Sequence, residues 1–175
     1  MAQRLLKKGH TVTMVCGSNL LCETGLTNNF NSGRREGYVD GIRIIELNLP
    51  YSNSLSFVKR ALVFLKFSLK GINIALNEDY ELLFASSTPL TAGIPGIIAR
   101  IFCKKIFVFE VRDLWPELPK AMKVISNPII LFLLNLLEST TYKAANACIG
   151  LSPGIVKGIK KKVPNKNIAM IPNGC

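Results

Sequence analysis

Lys105-Ile106-Phe107-Val108-Phe109-Glu110-Val111-Arg112-Asp113-Leu114-Trp115-Pro116-Glu117-Leu118-Pro119 reads as a buried strand that runs into a charged cluster. The first part, Lys105 to Glu110, is apolar and β-rich, the composition of an interior strand. The rest gathers one guanidinium, the carboxylates of Glu110, Asp113 and Glu117, and the chain's only tryptophan. Two prolines fix the backbone where the strand stops. In an open α/β sheet, ligands bind outside the carboxyl ends of the strands, so this segment points to a site.

Outward from it, the alternation is regular. Towards the carboxyl terminus, Pro128 to Ala145 is an apolar helix, Ala147 to Leu151 a strand, and Ser152-Pro153-Gly154 the opening of another helix. Asn167 to Ile171 is a last strand, ending in Pro172-Asn173-Gly174. Towards the amino terminus, Leu90 to Cys103 is a helix, Ser86-Ser87-Thr88-Pro89 a turn and Glu81 to Ala85 a strand. Leu55 to Leu76 is a long helix and Ile42 to Leu49 a strand. Gly17 to Asp40 is polar and lacks a steady period, which predicts a long loop. Thr11 to Cys16 is a strand, preceded by a helical end at Ala2 to Lys8 with Gly9 as its cap. Strands separated by helices in this order imply an α/β fold: a Rossmann-like parallel sheet with helices on both faces and right-handed crossovers. A helix that leads into a strand with no strand before it resembles a βαβ unit lacking its first strand.

Composition narrows the class. With 175 residues, 49% of them hydrophobic, the chain has enough apolar material for a core and is one domain or lobe. The net charge of +11 and a pI near 9.7 suggest an anionic partner: nucleic acid, a phosphorylated small molecule or an anionic membrane surface. Solubility alone is the plainer account. The five cysteines are odd in number and none has CxxC spacing, which argues against a disulfide framework or a zinc site and for a reducing compartment. Cys16, Cys103 and Cys148 fall in apolar segments and read as small hydrophobes. The greasiest run, Pro128 to Leu137, is about half the length that spans a bilayer.

The chemistry-bearing residues admit two readings each. Arg112 can fork onto a phosphate or carboxylate, Asp113 and Glu117 can accept sugar hydroxyls, and Trp115 offers a flat apolar face. The plainer alternative is a structural Arg–Asp pair beside a core tryptophan. The Trp-Pro-Glu-Leu-Pro string favours a site. Ser86-Ser87-Thr88-Pro89 lies between a strand and a helix, where backbone N–H groups hold an anion or the serines merely cap. For Ser152-Pro153-Gly154, plain capping is the better account. On the Leu55 to Leu76 helix, Lys59, Arg60, Lys66 and Lys70 stand beside a wide apolar face of Val58, Leu62, Leu65, Leu69, Ile72 and Leu76. That pattern fits a helix lying on an anionic bilayer, or a solvated basic face over a packed core. Lys157, Lys160, Lys161, Lys162 and Lys166 form a second basic cluster. The lone histidine, His10, reads as part of a helix end rather than a base. Nucleophile-elbow and Walker motifs are absent. Aromatics are not interleaved with the basic residues, so nucleic acid is a poor fit.

Several segments, in order, resemble family 4 glycosyltransferases. Lys8-Gly9-His10-Thr11-Val12-Thr13 is similar to the entry into their second strand, and Asp40-Gly41-Ile42-Arg43-Ile44 to a later one. Ala85-Ser86-Ser87-Thr88-Pro89-Leu90, Phe109 to Glu117, Ser152-Pro153-Gly154 and Ile171-Pro172-Asn173-Gly174 follow in family order. The likeness spans essentially the whole chain. It is nearest to the bacterial subgroup that includes L-fucosamine transferases of O-antigen, lipopolysaccharide and capsule assembly.

The resemblance implies one lobe of a GT-B fold, with residues 1–175 as the amino-terminal, acceptor-side lobe. Such enzymes are retaining and need neither metal nor cofactor. They take a sugar from a nucleotide-sugar donor, here for transfer to a polyprenyl-diphosphate-linked saccharide. The nucleotide belongs to a carboxyl-terminal lobe that this chain lacks, so residues 1–175 alone are expected to be inactive. By the same resemblance, Arg112 and Asp113 are the catalytic candidates. Ser87, Thr88, Glu110, Trp115, Glu117, Asn173 and Gly174 are candidates for substrate binding, the last two at the hinge. Lys59, Arg60, Lys66 and Lys70 are candidates to face an anionic membrane, placing the protein in the cytoplasm, peripheral on the inner face of the bacterial plasma membrane. Many relatives carry a His-Asp pair where this chain has Arg112-Asp113, so a histidine role does not transfer. The alternative is a non-catalytic basic module that docks on a membrane or on a partner lobe.

Overall fold

A computed structural model describes residues 1–19, 24–52, 54–117 and 125–173. The chain divides into two units, residues 1–70 and 71–175.

The first unit holds helix α1 (Ala2–Leu6), strands β1 (Thr13–Asn19), β2 (Arg34–Val39) and β3 (Ile42–Tyr51), and most of helix α2 (Phe57–Asn77). Gly9 has a φ of +83°, and the N–H of His10 donates to Leu5 O at 3.1 Å, so both residues close α1 as expected. The sheet order is β1-β3-β2, with β1 parallel and β2 antiparallel to β3.

Strand β2 corrects the expected long loop over Gly17 to Asp40. Its residues, Arg-Arg-Glu-Gly-Tyr-Val, lack apolar alternation because charge holds them in place. Arg35 grips the buried carboxylate of Glu46 with two hydrogen bonds, at 3.0 and 3.1 Å. Thr24 also donates to that carboxylate. Glu36 pairs with Arg34 and, at 2.6 Å, with Arg43. The hydrogen bond from Arg43 above all, with that from Arg34, holds the Glu36 carboxyl below its usual range. The sequence did carry a signal for this hairpin. Asp40 and Gly41 form its two-residue loop, both at positive φ (49° and 78°), the geometry for which Asp-Gly is favoured.

The second unit carries the parallel sheet that the alternation implied. Its strands β4 (Leu82–Ser86), β5 (Ile106–Val111), β6 (Ala147–Gly150) and β7 (Asn167–Met170) lie side by side in chain order, all parallel. They are linked by helices α3 (Gly93–Phe102), α4 (Pro128–Ala144) and α5 (Pro153–Lys162), giving a Rossmann-like α/β arrangement. A short 3-10 turn, Leu90–Ala92, replaces the first residues of the helix expected from Leu90. Asn127 caps α4 by accepting from Ile129 N at 2.9 Å, with Pro128 in the first turn.

The core of this unit forms on one face of β5. Phe107, Phe109 and Val111 alternate inward and are fully buried. Helix α3 can approach because Gly93 and Gly96 face Phe109 and Phe107. Tyr142 of α4 packs against Phe109, ring centroids 6.1 Å apart.

Cys16 and Cys148 behave as the hydrophobes expected of them, whereas Cys103 is exposed at the end of α3. Burial, before any other cause, pushes the thiols of Cys16 and Cys148 up to about 11. At pH 8 about one in a thousand of either is a thiolate, the nucleophilic form. Iodoacetamide at pH 8 should therefore label Cys103 within minutes and spare Cys16 and Cys148 until the chain is denatured, as read by peptide mass mapping. Equal labelling of all three would contradict this packing.

Candidate active site

The parallel register brings every strand end of the second unit to one edge. Ser86 lies opposite Glu110, Val111 opposite Gly150, and Gly150 opposite Met170. The segments that follow β4, β5, β6 and β7 therefore share the carboxyl edge of the sheet, where an open α/β sheet binds its ligands.

Two serines tie the first two segments together. Ser86 Oγ donates to Glu110 Oε2 at 2.6 Å. Ser87, buried, accepts from the N–H of Arg112 at 2.8 Å and donates its own N–H to Glu110 O at 2.9 Å. Ser87 thus neither caps a helix nor lies open to an anion. Its hydroxyl sets the direction in which the backbone leaves β5. Glu110 is likewise held by Ser86 rather than free. The turn containing Ser86 was legible in the sequence, but its bond to Glu110 was not, because that partner lies 24 residues away on the neighbouring strand.

Arg112 and Asp113 are the reverse case. Among the described residues no ion pair joins them, and the arginine is exposed. The structural-pair account of these two side chains therefore fails. The account of a core tryptophan holds in part: Trp115 is half-buried and packs on the core of the unit. Thr88 and Glu117 are exposed on the same edge. Asn173, exposed, follows β7, and Gly174 lies outside the described residues.

A buried anchor beneath the edge, unforeseen from sequence, holds the tryptophan in place. Glu138 of α4 is 1% exposed. It accepts from Trp115 N at 2.9 Å and from the Tyr142 hydroxyl at 2.6 Å, and it pairs with Lys162 of α5. Lys162 also donates to Asn135 Oδ1 at 2.6 Å. Burial, then the neighbouring carboxylate, pushes the Tyr142 phenol well above its ordinary 10, so it stays a donor at any physiological pH. Leu114 seats on α5 at Gly158, where a Cβ would lie 2.5 Å from the leucine. Two lysines of the basic cluster are thus structural. Lys162 neutralises Glu138, and Lys166 donates to the carbonyls of Lys143 and Ala145 at 3.0 and 2.6 Å near the end of α4. Ser152 caps α5 by accepting from Ile155 N at 3.3 Å, as its sequence suggested.

A family model described as a glycosyl transferase 4-like domain matches residues 1–174. The chain belongs to this family. No curated protein matches it. In this glycosyl transferase 4-like domain, Arg112 and Asp113 follow β5 at the carboxyl edge of the parallel sheet. Among the described residues of the domain, no three His, Cys, Asp or Glu side chains gather as a metal site, and no helix is long and apolar enough to cross a membrane. The remaining candidates lie on α2. Lys59 and Lys66 are exposed, Arg60 is half-buried, and Lys70 donates to Gly33 O at 3.1 Å.

Proposed function

We propose that this domain is the acceptor-side lobe of a retaining, metal-independent glycosyltransferase. The complete enzyme would move a sugar from a nucleotide-sugar donor, bound by a companion lobe, to a polyprenyl-diphosphate-linked saccharide. The setting would be the inner face of the bacterial plasma membrane, in surface polysaccharide synthesis of the O-antigen, lipopolysaccharide or capsule kind, as in the L-fucosamine-transferring subgroup that the sequence resembles.

One observation carries this reading: the exposed guanidinium of Arg112 has no carboxylate partner among the described residues, at the carboxyl edge of a parallel sheet. An unpaired guanidinium beside a ligand edge suits a diphosphate, which it grips through two parallel N–H donors. Asp113 and Glu117, on the same loop, would accept hydrogen bonds from the hydroxyls of a sugar. Retaining transfer depends more on stabilising the departing diphosphate than on a strong base, so a site without histidine remains competent.

The test uses farnesyl diphosphate as a soluble prenyl diphosphate and the single tryptophan, three residues from Arg112, as the fluorescent reporter. Arg112→Ala should weaken its binding about 10- to 100-fold, the loss expected for a charge-assisted hydrogen bond. Equal affinities for parent and variant would end the reading. They would favour the alternative of a docking module without chemistry, which the exposed face of α2 supports.

A further inference from the structure

Helix α2 is apolar on two sides. Val63, Phe64, Phe67 and Ser68 turn inward, and Ser68 is buried. The opposite side is a stripe of Val58, Leu62, Leu65 and Leu69, which are 65%, 51%, 48% and 58% exposed. Successive residues turn by about 100°, so these four fall on one line about 17 Å long. A contiguous exposed stripe of this kind marks a surface that meets something else.

Charge says what it meets. Phe57–Asn77 contains four basic residues and no acidic one. Lys59 and Lys66 are exposed and lie about a quarter turn from the centre of the stripe, both on the same side. Arg60 and Lys70 turn elsewhere, the latter to Gly33 O. A second copy of the chain, laid α2 against α2, would bring like charges together with no acid on the helix to offset them. An anionic bilayer takes the leucines into its interface and the two ammonium groups into its headgroups.

We infer that the Val58–Leu69 face of α2, flanked by Lys59 and Lys66, docks on an anionic lipid bilayer. The inference rests on the reading of a lipid-linked acceptor, and it names the surface that would bring the domain to such an acceptor. Arg60 and Lys70 are left out of the contact.

Cosedimentation of the 175-residue chain with lipid vesicles tests this. Vesicles of phosphatidylglycerol mixed with phosphatidylcholine should capture the chain, and phosphatidylcholine alone should not. Leu65→Asn with Leu69→Asn should cut capture at least tenfold while leaving the circular dichroism spectrum unchanged, because both side chains are already in solvent. Lys59→Gln and Lys66→Gln should each cost about fivefold at low salt and flatten the salt dependence. Arg60→Gln and Lys70→Gln should cost little. Failure of the anionic vesicles to capture the parent chain, or equal capture of the double asparagine variant, would overturn the inference. So would dimerisation in lipid-free buffer that the asparagine variant abolishes, which would assign the stripe to a second copy. These vesicles contain no saccharide or prenyl diphosphate, so a negative result here leaves the Arg112 titration unaffected.

Discussion

Replacing Lys162 by Met should destabilise the protein by about 3 kcal/mol, the lower end of the cost of breaking a buried ion pair from one side. The reason is Glu138. Its carboxylate is 1% exposed and accepts from Trp115 N, Tyr142 Oη and Lys162 Nζ. Removing the ammonium leaves a buried charge with two neutral donors, which offset only part of its lost hydration. Adding Glu138→Gln to Lys162→Met removes that charge and should recover about 2 kcal/mol, although the single Glu138→Gln is itself destabilising. Urea unfolding of the two single variants and the double variant reads the coupling. Trp115 emission reports whether the loop after β5 shifts. A loss below about 0.5 kcal/mol for Lys162→Met would mean that the pair does not hold the loop.

Gly96→Ala sets two effects of opposite sign against each other. In the middle of a helix, alanine is favoured over glycine by about 1 kcal/mol. At this position the new Cβ would lie 2.2 to 2.5 Å from three atoms of the Phe107 ring, and that ring is fully buried. Overpacking of this kind costs about 1–3 kcal/mol and more where nothing can move. Phe107 is confined by Phe109, 5.9 Å away between centroids, so the steric effect falls at the upper end of that range and should win by about 2 kcal/mol. Phe107→Leu alone should cost about 1–2 kcal/mol. Combined with Gly96→Ala it should cost clearly less than the sum, because the smaller side chain opens the space that the new methyl needs. Thermal unfolding of the three variants decides it, and strict additivity would refute the contact.

How much could be read in advance differs from one segment to the next. The β5 strand was legible because Phe107, Phe109 and Val111 alternate and a charged turn follows. Ser152 was legible as a cap because capping is settled within three residues. The β2–β3 hairpin was missed although Asp40-Gly41 is a turn signal, since β2 is held by Arg35–Glu46 and Glu36–Arg43 pairs rather than by an apolar face. The long helix resisted for another reason. Val58, Leu62, Leu65 and Leu69 form one apolar line and Val63, Phe64 and Phe67 another, so periodicity cannot say which of them faces water.

From its sequence alone this protein has an α/β alternation, a parallel sheet in its second unit, and Arg112 and Asp113 at the end of an interior strand. Those features follow from local pattern and chain order, which are one-dimensional. Tertiary structure decided that the Ser87 hydroxyl is spent on the Arg112 backbone and the Glu110 carboxylate on Ser86, that Glu138 and Lys162 hold Trp115 from beneath, and that the leucines of α2 face solvent. Each of these depends on groups far apart in the chain, or on a choice between equally apolar faces, and only packing in three dimensions makes that choice.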